Sequence, residues 1–209
     1  MKLTVFGATG RTGTLMVEQA LEGGYQVKAF VRTPSKMKMD HRNLELVQGD
    51  VTDAEAVDRA VAGADAVLSV IGHTKDSPDD LQTRAMHNIT GTMKKRRVKR
   101  IVNLTGAGVR DPEDRPKLID KLIVALLKLT AGNVFKDGRD HVEVLRESGL
   151  EWTVVRAPRL VDGPRTGRYR VGFVGKDSAT KISRADVADF MLKEVQERRY
   201  VRKLPMVSY

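Results

Sequence analysis

The apolar positions of this chain follow two rhythms: short β-branched runs, and longer stretches in which hydrophobic residues return every three or four places. Residues 3–6 form the first run. It ends at Gly7 and gives way to a glycine-punctuated turn, after which Leu15, Met16, Ala20 and Leu21 lie on one helix face. Gly23 and Gly24 end this helix, and 26–31 predicts a second strand that Pro34 closes. A third strand over 44–47, a helix over 53–61 with Asp53 near its start, and a fourth strand over 66–71 continue the order. A helix over 81–95, with Met86, Ile89 and Met93 near one face, leads to a fifth strand over 101–104. The pattern then predicts an apolar helix over 118–129, carrying Leu122, Ile123, Leu126 and Leu127, and a helix over 140–147 ended by Ser148 and Gly149. A sixth strand over 152–156, a surface strand over 169–174, a helix over 184–195 and a last strand over 200–203 complete the chain. Strands alternating with helices in this way build βαβ units around a parallel sheet. The expected fold is therefore α/β, a Rossmann-type doubly wound parallel sheet forming one domain over 1–209, with short C-terminal insertions on the substrate side. The apolar 118–129 stretch suits either a lid over the C-terminal edge of the sheet or a subunit contact, and the sequence leaves the oligomeric state open.

Composition narrows the chemistry. The chain has no cysteine, which excludes disulfides, thiolate nucleophiles and Cys-ligated zinc or iron–sulfur clusters. Its histidines, His41, His73, His87 and His141, form no closely spaced pair, so no metal is expected. No stretch has the length of an apolar membrane span, and glycine interrupts the first ten residues too soon for a secretory core; the expectation is a soluble cytoplasmic protein with no membrane partner. The 37 Lys and Arg against 27 Asp and Glu give a formal charge of +10, which favours anionic ligands. The densest group, Lys94, Lys95, Arg96, Arg97, Lys99 and Arg100, reads as a charged helix end beside a strand rather than as a nucleic-acid contact.

The segment Gly7, Ala8, Thr9, Gly10, Arg11, Thr12, Gly13 lies between a predicted strand and a predicted helix, which raises a glycine motif above accident. Gly7 permits the sharp turn, Gly10 lets backbone amides approach a phosphate, and Gly13 permits close packing of helix on sheet. The helix N-terminus directs positive charge at a pyrophosphate. A Walker A loop is excluded, because the Lys followed by Ser or Thr is missing. In an NAD site, a carboxylate at the end of strand two accepts from the ribose hydroxyls. Here that place holds Arg32, followed by Thr33, Ser35 and Lys36, with Arg11 in the phosphate loop and no acid nearby. Such a corner attracts a 2′-phosphate, so NADPH (NADP) is the expected cofactor, with a solvated basic loop as the alternative. Asp50 and Val51 are placed to meet the adenine edge, or Asp50 caps the following helix. Gly72, at the end of strand four, allows the backbone to approach the cofactor.

Six segments, VFGATGRTG at 5–13, FVRTPSK at 30–36, QGDV at 48–51, VLRESGLEWTVVRAPRL at 144–160, GPRTGRYRV at 163–171 and ISRADVADFML at 182–192, together resemble the atypical short-chain dehydrogenase/reductase group. Within it they resemble the small NmrA-like NAD(P)-binding proteins, close to the biliverdin-IXβ reductases, also called NADPH-dependent flavin reductases. The resemblance implies cofactor contacts at Gly7, Thr9, Gly10, Arg11, Thr12, Arg32, Asp50, Val51 and Gly72, with Thr105 at the end of strand five and the Pro158 loop near the nicotinamide. Two positions depart from it. Glycine stands at 106, where flavin reductase relatives can carry serine, and at 138, where several relatives carry lysine or histidine.

The Tyr-x-x-x-Lys pair of ordinary short-chain dehydrogenases is absent, since no lysine follows Tyr25, Tyr169, Tyr200 or Tyr209 by four places. The remaining chemistry is hydride transfer to a flavin, quinone or related aromatic acceptor, whose reduced form spreads its charge; the protein supplies mainly orientation and dryness. Thr105 and Asn103 are placed to orient a carboxamide or substrate, and Asn103 fits a backbone-bonded place inside the sheet equally well. His141 is the one imidazole on the helix before strand six, a proton donor or simply a solvent-facing helical residue. Of Arg156, Arg159, Arg165, Arg168 and Arg170, some are expected to rim the substrate opening and others to be surface charge. The competing class is a non-catalytic NADP(H)-sensing regulator of the NmrA-like type.

Overall fold

A computed structural model defines the protein over residues 1–118, 122, 124–125 and 131–209, the described residues. The chain opens with β1 (Lys2–Phe6), α1 (Arg11–Glu22), β2 (Gln26–Val31), a 3-10 turn at Pro34–Lys36, β3 (Leu44–Gln48), α2 (Ala54–Val61) and β4 (Ala66–Ser69). It continues with α3 (Leu81–Arg96), β5 (Arg100–Gly106), α4 (Gly132–Glu147), β6 (Glu151–Ala157), β7 (Arg159–Val161), β8 (Arg170–Gly172), β9 (Lys181–Ser183), α5 (Arg184–Glu197) and β10 (Met206–Ser208). Eight strands form one sheet in the order β3-β2-β1-β4-β5-β6-β10-β8, parallel except for β8, which runs antiparallel to β10. Helices cover both faces, so β1 and β4 are apolar almost throughout rather than alternating. Residues of α1 and α5 share one core cluster, and those of α2, α3 and α4 share the other.

The strand order reverses between β1 and β4. In open α/β sheets this is where a crevice opens beyond the carboxyl ends of the strands, and β1 pairs with β2 on one side and β4 on the other. Local chemistry fixes the helix starts around it. Asp53 caps α2 by accepting from the amides of Glu55 and Ala56 at 2.9 and 3.3 Å, and Ser183 caps α5 by accepting from Asp186 N at 3.0 Å. Helix α1 has neither a side-chain cap nor an acid in its first turn.

Several expectations change. The helix before β6 begins at Gly132 rather than near 140: Asp137 and Gly138 are buried and Asp137 accepts from the amides that open α3, which holds this part helical despite two glycines that lower helix propensity. The last strand is Met206–Ser208 and not 200–203. Arg198 and Arg202 take left-handed φ values of 53° and 59°, which turn the chain, and the buried run after Lys203 enters the sheet in place of the charged one. A small parallel pair, β7 with β9, follows the break at Pro158 and was not foreseen. The apolar 118–129 stretch lies for the most part outside the described residues; Leu118 and Leu122 are exposed. Among the described residues no helix is long and apolar enough to cross a membrane.

Candidate functional site

The GATGRTG turn occupies the mouth of the crevice. Gly7 has φ +80°, and a Cβ there would lie 2.8 Å from the carbonyl of Val70, so the turn backs directly onto the chain leaving β4. A Cβ on Gly13 would lie 2.1 Å from Gly7 O, which makes Gly13 a packing glycine. Gly10 differs. Its Cβ would meet only Gly7 O, at 3.2 Å, and its amide closes the turn onto Gly7 O at 3.0 Å. An uncapped helix start beside an open glycine is an anion cradle, and this fits a dinucleotide pyrophosphate. Thr9 is partly buried, Arg11 is exposed at the first helical position, and Thr12 is buried.

At the end of β2, Arg32, Thr33, Ser35 and Lys36 are exposed, with Lys36 on the 3-10 turn. The corner is not free of acid, as the sequence suggested. Asp50 is held below the ordinary carboxylate range first by the hydroxyl and amide of Thr52, at 2.6 and 2.8 Å, and then by the charges of Arg32 and Arg84. Asp50 does not cap α2, since Asp53 does. Val51 lies largely in the core beside Phe6 and Phe30, and its carbonyl accepts from Asn88 Nδ2 at 2.9 Å, so little of its side chain remains to cover a ring.

The C-terminal edges of β4 and β5 form the other half of the crevice. A Cβ at Gly72 or Gly106 would have nothing within 4 Å, and one at Gly138 only Thr105 Oγ1 at 3.8 Å. The side chains missing at 106 and 138 therefore leave room instead of being replaced by a neighbour. Thr105 is buried at the end of β5 and donates to Gly138 O at 3.4 Å, a long bond that a ligand can displace. Pro158 sits where β6 breaks into β7.

His141 is corrected by the structure. It is 1% exposed, not solvent-facing. Nδ1 lies 3.0 Å from Asp137 O, an acceptor, so Nδ1 carries the proton and Nε2 accepts from Asn103 Nδ2 at 2.9 Å. Burial lowers its pKa, and the neutral ring has both nitrogens engaged by protein. Asn103 is buried in this pair and does not reach the crevice. Of the arginines expected around the opening, Arg156 lies within β6 rather than after it: it is fully buried and holds Asp114, while Arg165 pairs with Asp189, and Arg159, Arg168 and Arg170 are exposed. Sequence reasoning missed Asp137, which caps α3 from another helix, and its partner His73. No local spacing connects residues 64 apart.

No tyrosine takes the place of the absent pair. The phenol of Tyr169 donates to Asp189 Oδ2 at 2.7 Å, and burial together with that carboxylate raises its pKa far above the ordinary range. Among the described residues no group of His, Asp and Glu could hold a metal.

Comparison with known proteins bears on the family and the fold. The chain is 27% identical over 154 residues to (4-alkanoyl-5-oxo-2,5-dihydrofuran-3-yl)methyl phosphate reductase of Streptomyces griseus; the match takes in 74% of this chain and 46% of that protein, so the chain spans about half the length of that relative. A short-chain dehydrogenase/reductase of Veillonella parvula in complex with NADP superposes with TM-score 0.82 at 19% identity, over 100% of this chain and 94% of that one. The anaerobilin reductase ChuY of Escherichia coli O157:H7 superposes with TM-score 0.79 at 20% identity, over 100% and 97%. Both show the same Rossmann-like fold. The NAD(P)H-binding family matches residues 7–198, and the chain belongs to it.

Proposed function

We propose that this protein is an NADPH-dependent reductase, of the NmrA-like and flavin reductase type, that passes a hydride to a flavin, quinone or related aromatic acceptor. The observation that carries the reading is the open edge beyond β4 and β5, where a Cβ added at Gly72 or Gly106 would meet nothing within 4 Å and one at Gly138 would meet only Thr105 Oγ1, at 3.8 Å. Gly7, Thr9, Gly10, Arg11, Thr12 and Gly13 hold the pyrophosphate in this reading, Arg32 and Lys36 the 2′-phosphate, and Asp50 with the edge of Val51 the adenine. Gly72, Thr105 and Pro158 border the nicotinamide, and the Thr105 hydroxyl orients its carboxamide. The bound dinucleotide supplies the hydride. The exposed Arg159, Arg168 and Arg170 favour an acceptor with phosphate or carboxylate groups. His141 acts as a positioning residue that ties α4 to β5 through Asn103.

The test is oxidation of NADPH by the purified protein with FMN, menadione and a linear tetrapyrrole, beside the Gly10→Val variant, which removes adventitious flavin reduction from the signal. Acceleration that the variant lacks supports the reductase. Tight NADPH binding without acceleration by any acceptor overturns it in favour of an NADP(H)-sensing regulator.

A further inference from the structure

One polar cluster beside the site has no role in the reading above. His73, in the loop after β4, meets Asp137 of α4 with Nε2 2.7 Å from Oδ2. Asp137 is 3% exposed and also accepts from the amides of Gln82 and Thr83 at 2.7 and 2.9 Å and from the Thr83 hydroxyl at 2.5 Å. Burial pushes this carboxyl up, and the bonds from Thr83, Gln82 and His73 outweigh it, holding the group below the ordinary carboxylate range. An ionised carboxylate only accepts, so Nε2 of His73 carries the proton and Nδ1 is the open position of the neutral ring. No described residue bonds to Nδ1. The side chain keeps 12% exposure.

Chain adjacency puts this pair beside the crevice. Gly7 of the phosphate loop backs onto Val70, and Gly72, with open space above it, immediately precedes His73. On the other side Asp137 immediately precedes Gly138, which faces Thr105. His73 and Asp137 are thus each one residue from a glycine, Gly72 and Gly138, that the reductase reading places beside the nicotinamide.

We propose that His73 is the proton donor of the reduction: its Nδ1 takes a proton from water and passes it to the acceptor, while the Nε2 proton stays on the ring, hydrogen-bonded to the Asp137 carboxylate. The proposal rests on the reductase reading. The acceptor gains two electrons and one hydrogen as hydride from the reduced dinucleotide, which leaves oxidised, and an electron pair is left on the conjugated oxygen or nitrogen of the acceptor. That pair takes the proton as the Nδ1–H bond breaks, its electrons remaining on the ring. Water at the exposed edge returns the proton. The pair thus does from the β4 loop what a tyrosine acid does elsewhere in short-chain dehydrogenases, and the buried, doubly bonded His141 does not compete for the task.

The test uses the full chain with NADPH and menadione. His73→Gln keeps a donor within reach of Asp137 but cannot pass a proton on; it is expected to lower kcat by about 100-fold, the small end for a general acid because water is the fallback. NADPH affinity, read by fluorescence, stays unchanged, the solvent deuterium effect on kcat changes, and free imidazole restores turnover to His73→Ala. Long-range 1H–15N NMR is expected to find the ring proton on Nε2, and the Nδ1 signal to move when NADP+ and menadione are added together. Wild-type kcat in His73→Gln, or an Nδ1 signal indifferent to both ligands, overturns the proposal and leaves the reductase reading standing. Loss of turnover together with NADPH affinity, without imidazole rescue, reduces His73 to a loop anchor and also overturns it. Wild-type protein that binds NADPH yet is not accelerated by menadione, FMN or a linear tetrapyrrole overturns the reductase reading, and this proposal with it.

Discussion

Asp114→Asn tests whether a buried charge pair fixes the loops on the substrate side. Arg156 of β6 has no exposed surface and Asp114 has 5% of its side chain exposed. The guanidinium meets both carboxylate oxygens, Nη1 to Oδ2 at 2.6 Å and Nη2 to Oδ1 at 2.8 Å, and also donates to Leu204 O and Val109 O at 2.8 and 3.0 Å. The same carboxylate accepts from the amides of Asp111 and Val174 at 2.8 and 2.9 Å, joining the loop after β5 to the loop after β8. Asparagine keeps the shape but turns an NH2 toward donors and leaves the Arg156 charge uncompensated. Removing one side of a buried pair costs about 3–5 kcal/mol, and the two carbonyls that stay on Arg156 argue for the lower end, about 3 kcal/mol. In a chain of this length that is a fall in Tm of about 6–12 °C, measured by calorimetry. A shift below about 2 °C would refute the reasoning, since it corresponds to less than about 1 kcal/mol.

The same pair sets an acid dependence. Burial raises the Asp114 carboxyl, but the bonds from Arg156, Asp111 and Val174 prevail and hold it below its unfolded value. A group depressed in this way contributes fully above the unfolded pKa of about 3.9, and its contribution is lost as pH falls through the lower folded value. The difference in stability between wild type and Asp114→Asn should therefore be complete at neutral pH and shrink on acidification below about pH 4. A difference that persists undiminished would assign the loss to packing instead of charge.

Four further outcomes follow from the site. Arg32→Ala is expected to erase a preference for NADPH over NADH of more than about tenfold, or about 1.4 kcal/mol, in titration calorimetry; equal affinities in wild type would remove the basis for assigning the 2′-phosphate here. Gly10→Val should abolish NADPH fluorescence enhancement with an unchanged circular dichroism spectrum, whereas Gly13→Ala, forced 2.1 Å from Gly7 O, should lower Tm as well. Thr105→Val should lower kcat/KM by about 2- to 12-fold, the worth of one hydrogen bond of about 0.5–1.5 kcal/mol, and an unchanged value would place the nicotinamide away from it. Tyr169→Phe should leave kcat unaltered while costing about 1 kcal/mol in urea unfolding, because its phenol serves Asp189; a collapse of turnover would reinstate a tyrosyl acid.

What the sequence made legible was whatever depends on neighbours in the chain. Periodicity exposed the strands from β1 to β6, since strands covered on both faces must be apolar, and the glycine spacing marked the phosphate turn because each glycine answers a local steric demand. What it hid depends on residues far apart. Arg156 looked like a member of a cationic rim because its neighbours 159, 165, 168 and 170 are arginines, and only the folded chain brings Asp114 to it across 42 positions. His141 was a candidate proton donor, or a solvent-facing residue, because it is the one imidazole on the helix before β6, yet the helix turns it onto Asn103 in the core. Asp50 entered the Arg32 corner unseen for the same reason: β2 and β3 are adjacent in the sheet but 18 residues separate the two side chains in the chain.

Helix α4 connects these observations to the choice of acceptor. Its residues Asp137, Gly138 and His141 lie within about one turn and serve four partners: Asp137 holds the start of α3 and His73, Gly138 faces Thr105, and His141 grips Asn103 of β5. A larger side chain at 138 would meet the Thr105 hydroxyl, which on the proposed reading borders the nicotinamide; glycine leaves that space open. An alcohol-forming carbonyl reduction needs a proton at one fixed oxygen as charge develops, which an open edge does not supply. A conjugated ring spreads that charge to its edge, where the proposal above puts His73. On the proposed reading, the glycines at 106 and 138 and the carboxylate-held imidazole at 73 are compatible with one another, and both suit a planar, electron-poor acceptor better than a simple ketone.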